Sequence, residues 1–193
     1  MIFEHLNERH LPMVDAFSCT ESEEFLQQFK SKERRRVIKH TKEMEDFLKH
    51  EAYEEQELGM NTTFLLLDDN AEKILAYISL CNDAINLEYE EKEDAGITYS
   101  SAPALKIARL AVDGSFTGRG IGKLLVAFAA YQAQLIRKHS GVFFLTLDCY
   151  EHRRSFYETI GFVRNLIQPV ELMYDSPISM RISIDSYLES INA

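Results

Sequence analysis

Apolar positions recur along the chain with two spacings, and the two spacings predict different elements. Alternating or continuous apolar runs favour strands, whereas apolar residues three or four positions apart favour amphipathic helices. The strand-like stretches are 2–6, 62–67, 73–80, 104–112, 142–147, 162–167 and 178–184. The helix-like stretches are 11–17, 23–29, 32–58, 122–139 and 151–159. The predicted order is therefore one strand, a set of helices, three strands, a helix, a strand, a helix and two strands.

Turn and cap residues refine these boundaries. The turn Asp68-Asp69-Asn70-Ala71 is expected to join the second and third strands into an antiparallel hairpin. Thr20 is the expected cap of the second short helix, and Gly59 is expected to end the long charged helical stretch. The polar, acidic stretch 82–102 follows neither apolar spacing, so it is predicted to be a long inserted loop.

Length and composition limit the kind of protein. The 193 residues, 46% of them apolar and 11% aromatic, can bury the core of a single domain spanning residues 1–193. The formal net charge of -10 makes a nucleic-acid partner unexpected, because nucleic-acid affinity depends on Lys and Arg neutralising phosphates. A small molecule or a basic partner fits this charge better.

The chain is expected to be cytoplasmic, with no membrane partner. Its first residues lack the basic-then-apolar order of a signal peptide, and no apolar run is long enough to span a bilayer. Cys19, Cys81 and Cys149 are odd in number and widely spaced, which suits reduced thiols. The six histidines show no metal-binding spacing, so no metal is predicted.

The stretch Thr117-Gly118-Arg119-Gly120-Ile121-Gly122 lies between an apolar strand and a long amphipathic helix. Glycines let several backbone N–H groups turn toward one point, and the start of a helix favours negative charge. The pattern predicts a cradle for a phosphate or pyrophosphate, although such a motif alone also fits a tight turn before a helix. The side chains of Arg119 and Lys123 either add charge toward the phosphates or stay solvated.

Two ordered motifs resemble one known family. The sequence LAVDGSFTGRGIGKLL, followed by a buried strand and SFYETIGF, resembles the GNAT superfamily of acetyl-CoA-dependent N-acetyltransferases over about 62–184. The family signature is Gln or Arg, two residues, Gly, one residue, then Gly or Ala. Thr117 departs from its first position, which concerns one side-chain contact, because backbone groups form most of the cradle. The second motif occurs as Phe156-Tyr157 and Gly161-Phe162.

The resemblance implies a fold, a co-substrate and a set of site residues. The fold would be an α/β (α+β) GNAT fold, with a mixed, mostly antiparallel seven-stranded sheet, helices on both faces and a splay between the fourth and fifth strands. Acetyl-CoA would be the co-substrate, and the acceptor a primary amine of a small molecule or protein; a homodimer is an expectation at the level of the family. The implied cofactor-binding residues are Leu110, Ala111, Val112, Thr117, Gly118, Arg119, Gly120, Ile121, Gly122 and Lys123.

Acetyl transfer also needs proton handling. A lysine-like amine has a pKa of about 10.4 and must lose a proton before it attacks. The backbone N–H of Val112 is the candidate for stabilising the oxyanion, and Tyr157, carried over from the family motif, is the candidate acid for the leaving thiolate. Without the motif, Tyr157 would be interpreted as a core residue. Asp148 and Glu88 are candidate bases, and both also fit caps or solvated turns.

Several residues have two interpretations. Arg109, inside an apolar strand, indicates either a structural ion pair or a substrate contact. The acids between Glu88 and Asp94 suit a solvated loop, or a field that attracts an amine. Arg34-Arg35-Arg36 fits a solvated helix face, and Cys149 fits a buried thiol better than a nucleophile.

Two other functions stay open. A binding module could retain acyl-CoA recognition without turnover, and Thr117 is the residue that favours it. The sequences DFLKHEAYEEQELG and IARLAVD are also loosely similar to a GNAT branch that includes bacterial toxin acetyltransferases, which would imply aminoacyl-tRNA as acceptor.

Overall fold

The structure is a computed structural model that describes residues 1–168 and 176–192. Within these residues the strands are β1 Ile2–His5, β2 Thr62–Leu67, β3 Ile74–Asn86, β4 Ser101–Val112, β5 Phe144–Cys149, β6 Val163–Arg164 and β7 Ile178–Ser183. The α-helices are α1 Leu11–Val14, α2 Glu23–Leu26, α3 Ser31–Asp46, α4 Ala52–Glu57, α5 Tyr89–Ala95, α6 Ile121–Ile136, α7 Glu151–Ile160 and α8 Ile184–Asn192. Two 3-10 turns, Glu8–His10 and Gly114–Phe116, and one π-helical turn, Phe47–Glu51, complete the described elements.

The seven described strands form one mixed sheet in the order β1-β2-β3-β4-β5-β7-β6. The pairs β1/β2, β2/β3, β5/β7 and β6/β7 are antiparallel, whereas β4 and β5 run parallel. The parallel register runs from Ala104 opposite Phe144 to Ile107 opposite Leu147. Each of these two strands continues beyond its last paired residue, as the expected splay requires. The predicted mixed, mostly antiparallel sheet is confirmed.

The chain forms two compact units. The first unit contains Met1–Leu80 and Arg109–Leu125, and the second contains Cys81–Ala108 and Val126–Ala193. β3, β4 and α6 therefore contribute residues to both units. The expectation of one domain over residues 1–193 stays a prediction.

The core of the first unit is built around Tyr77, which is completely buried. Its ring packs edge-on against Phe17 and stacks on Phe47, with centroids 5.6 and 6.1 Å away. Burial raises its pKa well above the ordinary value for tyrosine, and its hydroxyl donates to Met44 O at 2.7 Å. The surrounding apolar side chains come from α1, the π-helical turn, α4, β2, β3 and β4.

The predicted hairpin of β2 and β3 is confirmed, with a register that runs from Thr62 opposite Leu80 to Leu67 opposite Ile74. Asp68 organises its turn, because one carboxylate oxygen accepts from the N–H groups of Glu72 at 2.8 Å and Lys73 at 3.1 Å. The turn also places Ala71 at a positive φ of 57°.

The long charged stretch forms α3, the π-helical turn and α4 in succession. The extra residue of the π turn is visible in the bond from Ala52 N–H to Phe47 O, which spans five residues. Phe47 and Leu48 are both buried here. In α4, the Gln56 side chain donates to Leu6 O at 2.8 Å and accepts from Thr63 N–H at 3.0 Å. The stretch ends, as predicted, at Gly59, which has a φ of 73°.

The prediction of a long loop over 82–102 is wrong. β3 continues to Asn86, and α5 follows after Glu88, whose N–H donates to Glu91 Oε2 at 2.9 Å. Glu91 is only 3% exposed, because it pairs with Arg181 of β7 in the interior of the second unit. The ion pair of the buried Glu91 therefore orders the segment 82–102, although its polar, acidic composition is typical of a solvated loop.

Smaller differences concern helix and strand ends. Ser22, and not Thr20, caps α2: its hydroxyl accepts from Phe25 N–H at 3.2 Å, whereas the Thr20 hydroxyl is engaged with Glu45. α1 and α2 are shorter than predicted, β6 has only two residues, and α8 was missed.

Candidate active site

In the first unit, β4 ends with the three residues expected to meet the pantetheine arm. Ala111 is buried, whereas Leu110 and Val112 on either side are only partly buried. This alternation follows from the pleat of a strand, in which successive side chains point to opposite faces. The assigned contacts to the pantetheine arm stay a prediction.

Asp113 fixes the turn that follows β4. The residue is 5% exposed, and its N–H donates to Leu75 O at 2.9 Å. One carboxylate oxygen accepts from the N–H of Ser115 at 3.0 Å and from the Ser115 hydroxyl. The ammonium of Lys73 lies 3.7 Å from the same oxygen. The 3-10 turn Gly114–Phe116 therefore leaves the strand from a well-held position.

The glycine-rich stretch turns the chain into α6. Gly118 and Gly120 have φ values of 79° and 80°, a region that favours glycine, and a Cβ on either would meet no atom within 4 Å. The helical hydrogen bonds begin where Leu124 N–H donates to Gly120 O at 3.1 Å. The N–H groups of Ile121 and Gly122 come before that bond and lie outside the helical ladder. This exposed turn has the form that an anion-binding cradle requires.

Two cations gather at Phe116, immediately before the glycines. The ammonium of Lys73 lies 4.7 Å, and the guanidinium of Arg119 lies 4.9 Å, from the centroid of the Phe116 ring. Arg119 and Lys123 were predicted from the sequence, whereas Lys73 was missed. The signal for Lys73 was its place at the start of the third predicted strand, next to the hairpin turn.

Arg109 packs its guanidinium against the ring of Phe47, 5.0 Å from the centroid. From the sequence, Arg109 was expected to make either a structural ion pair or a substrate contact. This cation–π interaction packs Arg109 against the π-helical turn of the same unit. The ion pair and the substrate contact both stay predictions.

In the second unit, Tyr157 lies on α7 and is 8% exposed. Its ring meets Phe156 and Phe162 edge-on, at centroid distances of 5.0 and 5.7 Å. α7 ends at Gly161, whose φ is 105°. Burial raises the pKa of Tyr157 well above the ordinary value, and Cys149 adds to the rise at the high pH where its own thiol ionises. The phenol therefore holds its proton through the neutral range.

The two candidate bases occupy different surroundings, both within the second unit. Asp148 Oδ2 accepts from the ammonium of Lys106 at 2.6 Å. Burial lowers the pKa of Lys106, but the hydrogen bond and charge of Asp148, with the charge of Asp83, raise it by more. The Lys106 ammonium therefore occupies this oxygen of Asp148. Glu88 is exposed at the start of α5.

Cys149 is buried, and its thiol lies 3.4 Å from the sulfur of Met180. Burial, followed by the charges of Glu151 and Asp148, raises the pKa of Cys149 to about 12. A thiol with this pKa is a poor nucleophile at neutral pH. The interpretation of Cys149 as a buried thiol is confirmed.

Across residues 1–168 and 176–192, no three His, Cys, Asp or Glu side chains are grouped so as to hold a metal ion. No helix within the same residues combines the length and the apolar character needed to cross a membrane.

A family model described as "Acetyltransferase (GNAT) domain" matches residues 60–164, which is more than half of the chain. The protein is thus an acyltransferase by class. The co-substrate of GNAT acetyltransferases is acetyl-CoA. The chain belongs to the GNAT acetyltransferase family.

Solved structures with the same fold cover nearly the whole chain. A crystal structure of a KacT mutant has 18% identity and a TM-score of 0.75 and covers 98% of both chains. AtaT complexed with acetyl-methionyl-tRNAfMet has 18% identity and a TM-score of 0.75, over 100% of this chain and 99% of AtaT. AtaTR bound with AcCoA has 18% identity and a TM-score of 0.70, over 98% and 97%. At this identity the likeness shows the fold, and the predicted GNAT fold is confirmed.

Proposed function

We propose that this protein transfers an acetyl group directly from acetyl-CoA to a primary amine of a small molecule or protein. The observation that carries the proposal is the turn at Gly118 and Gly120, which follows β4 and opens α6. Backbone N–H groups outside the helical ladder, at the positive end of a helix dipole, suit the diphosphate of coenzyme A. Arg119, held at Phe116, adds positive charge on the same turn.

The proposed chemistry is a direct displacement at the thioester. The amine nitrogen attacks the carbonyl carbon, and the negative charge that develops on the oxygen is stabilised by the backbone N–H of Val112. The carbon–sulfur bond then breaks, and the thiolate takes the proton of the Tyr157 hydroxyl. The amine loses its own proton to water, since Asp148 is engaged by Lys106. The phenolate of Tyr157 regains a proton from solvent, which leaves free coenzyme A and an amide.

Two measurements test the proposal together. Calorimetry of the full chain with acetyl-CoA measures binding, and release of the coenzyme A thiol across a panel of primary amines measures transfer. Binding with thiol release is the expected result. Binding without release from any amine would favour a module that recognises acyl-CoA without turnover. Absence of binding by folded protein would overturn the proposal.

A second candidate function is acetylation of aminoacyl-tRNA. The observation in its favour is that the AtaT complex with acetyl-methionyl-tRNAfMet matches over the whole chain, including residues 1–59, which lie outside the family match. The formal net charge of -10 counts against an RNA acceptor. Growth arrest on induction, with an acetyl group on aminoacyl-tRNA detected by mass spectrometry, would favour this function. Normal growth under strong induction would exclude it.

We further propose a cytoplasmic location, where thiols such as Cys149 stay reduced. A homodimer remains an expectation at the level of the family, and sedimentation of the pure protein tests it.

A further inference from the structure

A carboxylate on α3 holds the segment between α1 and α2 by three hydrogen bonds. Glu45 Oε1 accepts from the Ser18 hydroxyl at 2.7 Å, from Cys19 N–H at 2.9 Å and from the Thr20 hydroxyl at 3.3 Å. The Glu45 side chain is 17% exposed, and its other oxygen lies 3.7 Å from the ammonium of Lys49. Residues 18–20 have no helix or strand of their own, so these charge-assisted bonds set their conformation.

The segment held by Glu45 is in direct backbone contact with the turn that follows β4. Ser18 O accepts from Gly114 N–H at 2.8 Å. A Cβ built on Gly114 would lie 2.6 Å from Thr20 O, a backbone atom that cannot move aside alone. Only glycine fits this approach, and Gly114 is the first residue of the 3-10 turn that leads into Thr117.

We propose that Glu45 is a positioning residue for the cofactor cradle. It fixes residues 18–20, these fix Gly114, and Gly114 fixes where the glycine-rich turn begins. The N–H of Asp113 secures the opposite side of the turn on Leu75 O. Glycine has the widest choice of backbone conformations, so a fixed starting point before Gly118 and Gly120 reduces the entropy lost when a diphosphate binds. That the turn binds acetyl-CoA rests on the proposed function, whereas the bracing of the turn by Glu45 does not.

The first experiment measures the brace without any ligand. Amide hydrogen exchange is followed in peptides covering residues 114–123 of the wild type, Glu45→Ala and Glu43→Ala. Glu43 is a matched control, because it lies on the same helix and pairs with Lys39 at 3.4 Å. Faster exchange in Glu45→Ala alone is expected. Equal exchange in the two variants, with both proteins folded by circular dichroism, would overturn the inference.

The second experiment measures the consequence for the cofactor. Glu45→Ala should raise the acetyl-CoA Kd by about tenfold. The reason is that the turn loses the hydrogen bonds to a charged acceptor that hold its starting point. Turnover at saturating acetyl-CoA should stay within about twofold, because the reacting atoms are untouched. Glu45→Gln keeps an acceptor oxygen and should recover most of the affinity. An unchanged Kd in folded Glu45→Ala would contradict the inference.

Two further variants test the brace even if Glu45→Ala does not fold. Gly114→Ala forces the two backbones apart, and Ser18→Ala removes one donor only; both should accelerate exchange over residues 114–123, Gly114→Ala more than Ser18→Ala. If neither does, the inference is wrong. If the exchange results hold and wild-type protein binds no acetyl-CoA, the proposed function fails while the brace stands.

Discussion

Arg181 Nη1 lies 2.5 Å from Glu91 Oε1, and the two side chains are only 10% and 3% exposed. The same Glu91 oxygen accepts from Leu166 N–H at 2.9 Å, and Arg181 also donates to Asn165 Oδ1 at 3.0 Å. The guanidinium lies over the ring of Phe144, 5.7 Å from its centroid. Because neighbouring polar groups satisfy both partners, the pair ties α5 to β7 within the second unit.

Glu91→Ala should destabilise the protein by about 3–5 kcal/mol, because Arg181 would stay buried without its partner. Urea denaturation measures the free energy of unfolding. The double variant Glu91→Leu with Arg181→Met should recover most of that loss. Glu90→Ala, an exposed position on the same helix, serves as control and should stay within about 0.5 kcal/mol. An equal, small effect of Glu91→Ala and Glu90→Ala would show that the pair does not hold α5.

Tyr157→Phe should lower turnover by about a hundredfold or more and leave the acetyl-CoA Kd unchanged, because only the proton donor is removed. Thiol release at saturating acetyl-CoA measures the first quantity and calorimetry the second. Since burial raises the pKa of Tyr157, its phenol stays protonated as pH rises past the usual value of 10.0. Ionisation of Tyr157 should therefore not reduce wild-type turnover as the pH is raised to 10.0. Full activity of the Phe variant would remove Tyr157 from the mechanism.

Gly120→Ala should raise the acetyl-CoA Kd by about tenfold, since a residue with a Cβ resists a φ of 80° and turns the neighbouring N–H groups away. Gly59→Ala is a matched control in the same unit, because Gly59 has a φ of 73° and equally open surroundings. Both variants should lose about 1–2 kcal/mol of stability. Only Gly120→Ala should lose affinity, and a loss in both would point to a general effect on the fold.

Asp148→Asn should lower stability at pH 8 by about 1 kcal/mol. The pKa of Lys106 is raised in the folded protein, so the contribution of the pair is fully present below the unfolded value near 10.5. It is lost as pH rises through the higher folded value. The deficit of the variant should therefore narrow in urea titrations above pH 10.5. Turnover of the variant should fall by less than about threefold. A much larger loss of turnover would indicate that Asp148 is the general base.

Cys149 should react slowly with iodoacetamide at pH 8, because its pKa of about 12 leaves almost no thiolate. Cys81, which is partly exposed, should be alkylated first. Peptide mass spectrometry of a time course measures both rates. Cys149→Ala should keep more than about half of the turnover, because direct transfer forms no covalent intermediate on this thiol. A trapped acyl group on Cys149 would contradict direct transfer.

Local patterns predicted most of the fold, because the β2–β3 turn and the glycine stretch before α6 are encoded by neighbouring residues. The error over 82–102 has a different origin. Glu91 is an acid among acids, and its partner Arg181 lies 90 positions further along the chain. Thr20 and Ser22 are equally good helix caps by residue type. The structure favours Ser22, because the Thr20 hydroxyl is bonded to Glu45, which is distant in sequence. Motifs were enough to name the glycines and Tyr157, whereas the contacts of Lys73 and Glu45 belong to no motif.

The π-helical turn Phe47–Glu51 makes the length of this helical stretch matter as much as its composition. Each residue of a helix advances the side-chain direction by about 100°. Deleting one residue from the turn would restore regular α-helical geometry and swing Gln56 away from Leu6 and Thr63, which it bridges. Related sequences should therefore tolerate substitutions along the solvent side of α3 far more readily than a single deletion between residues 47 and 51.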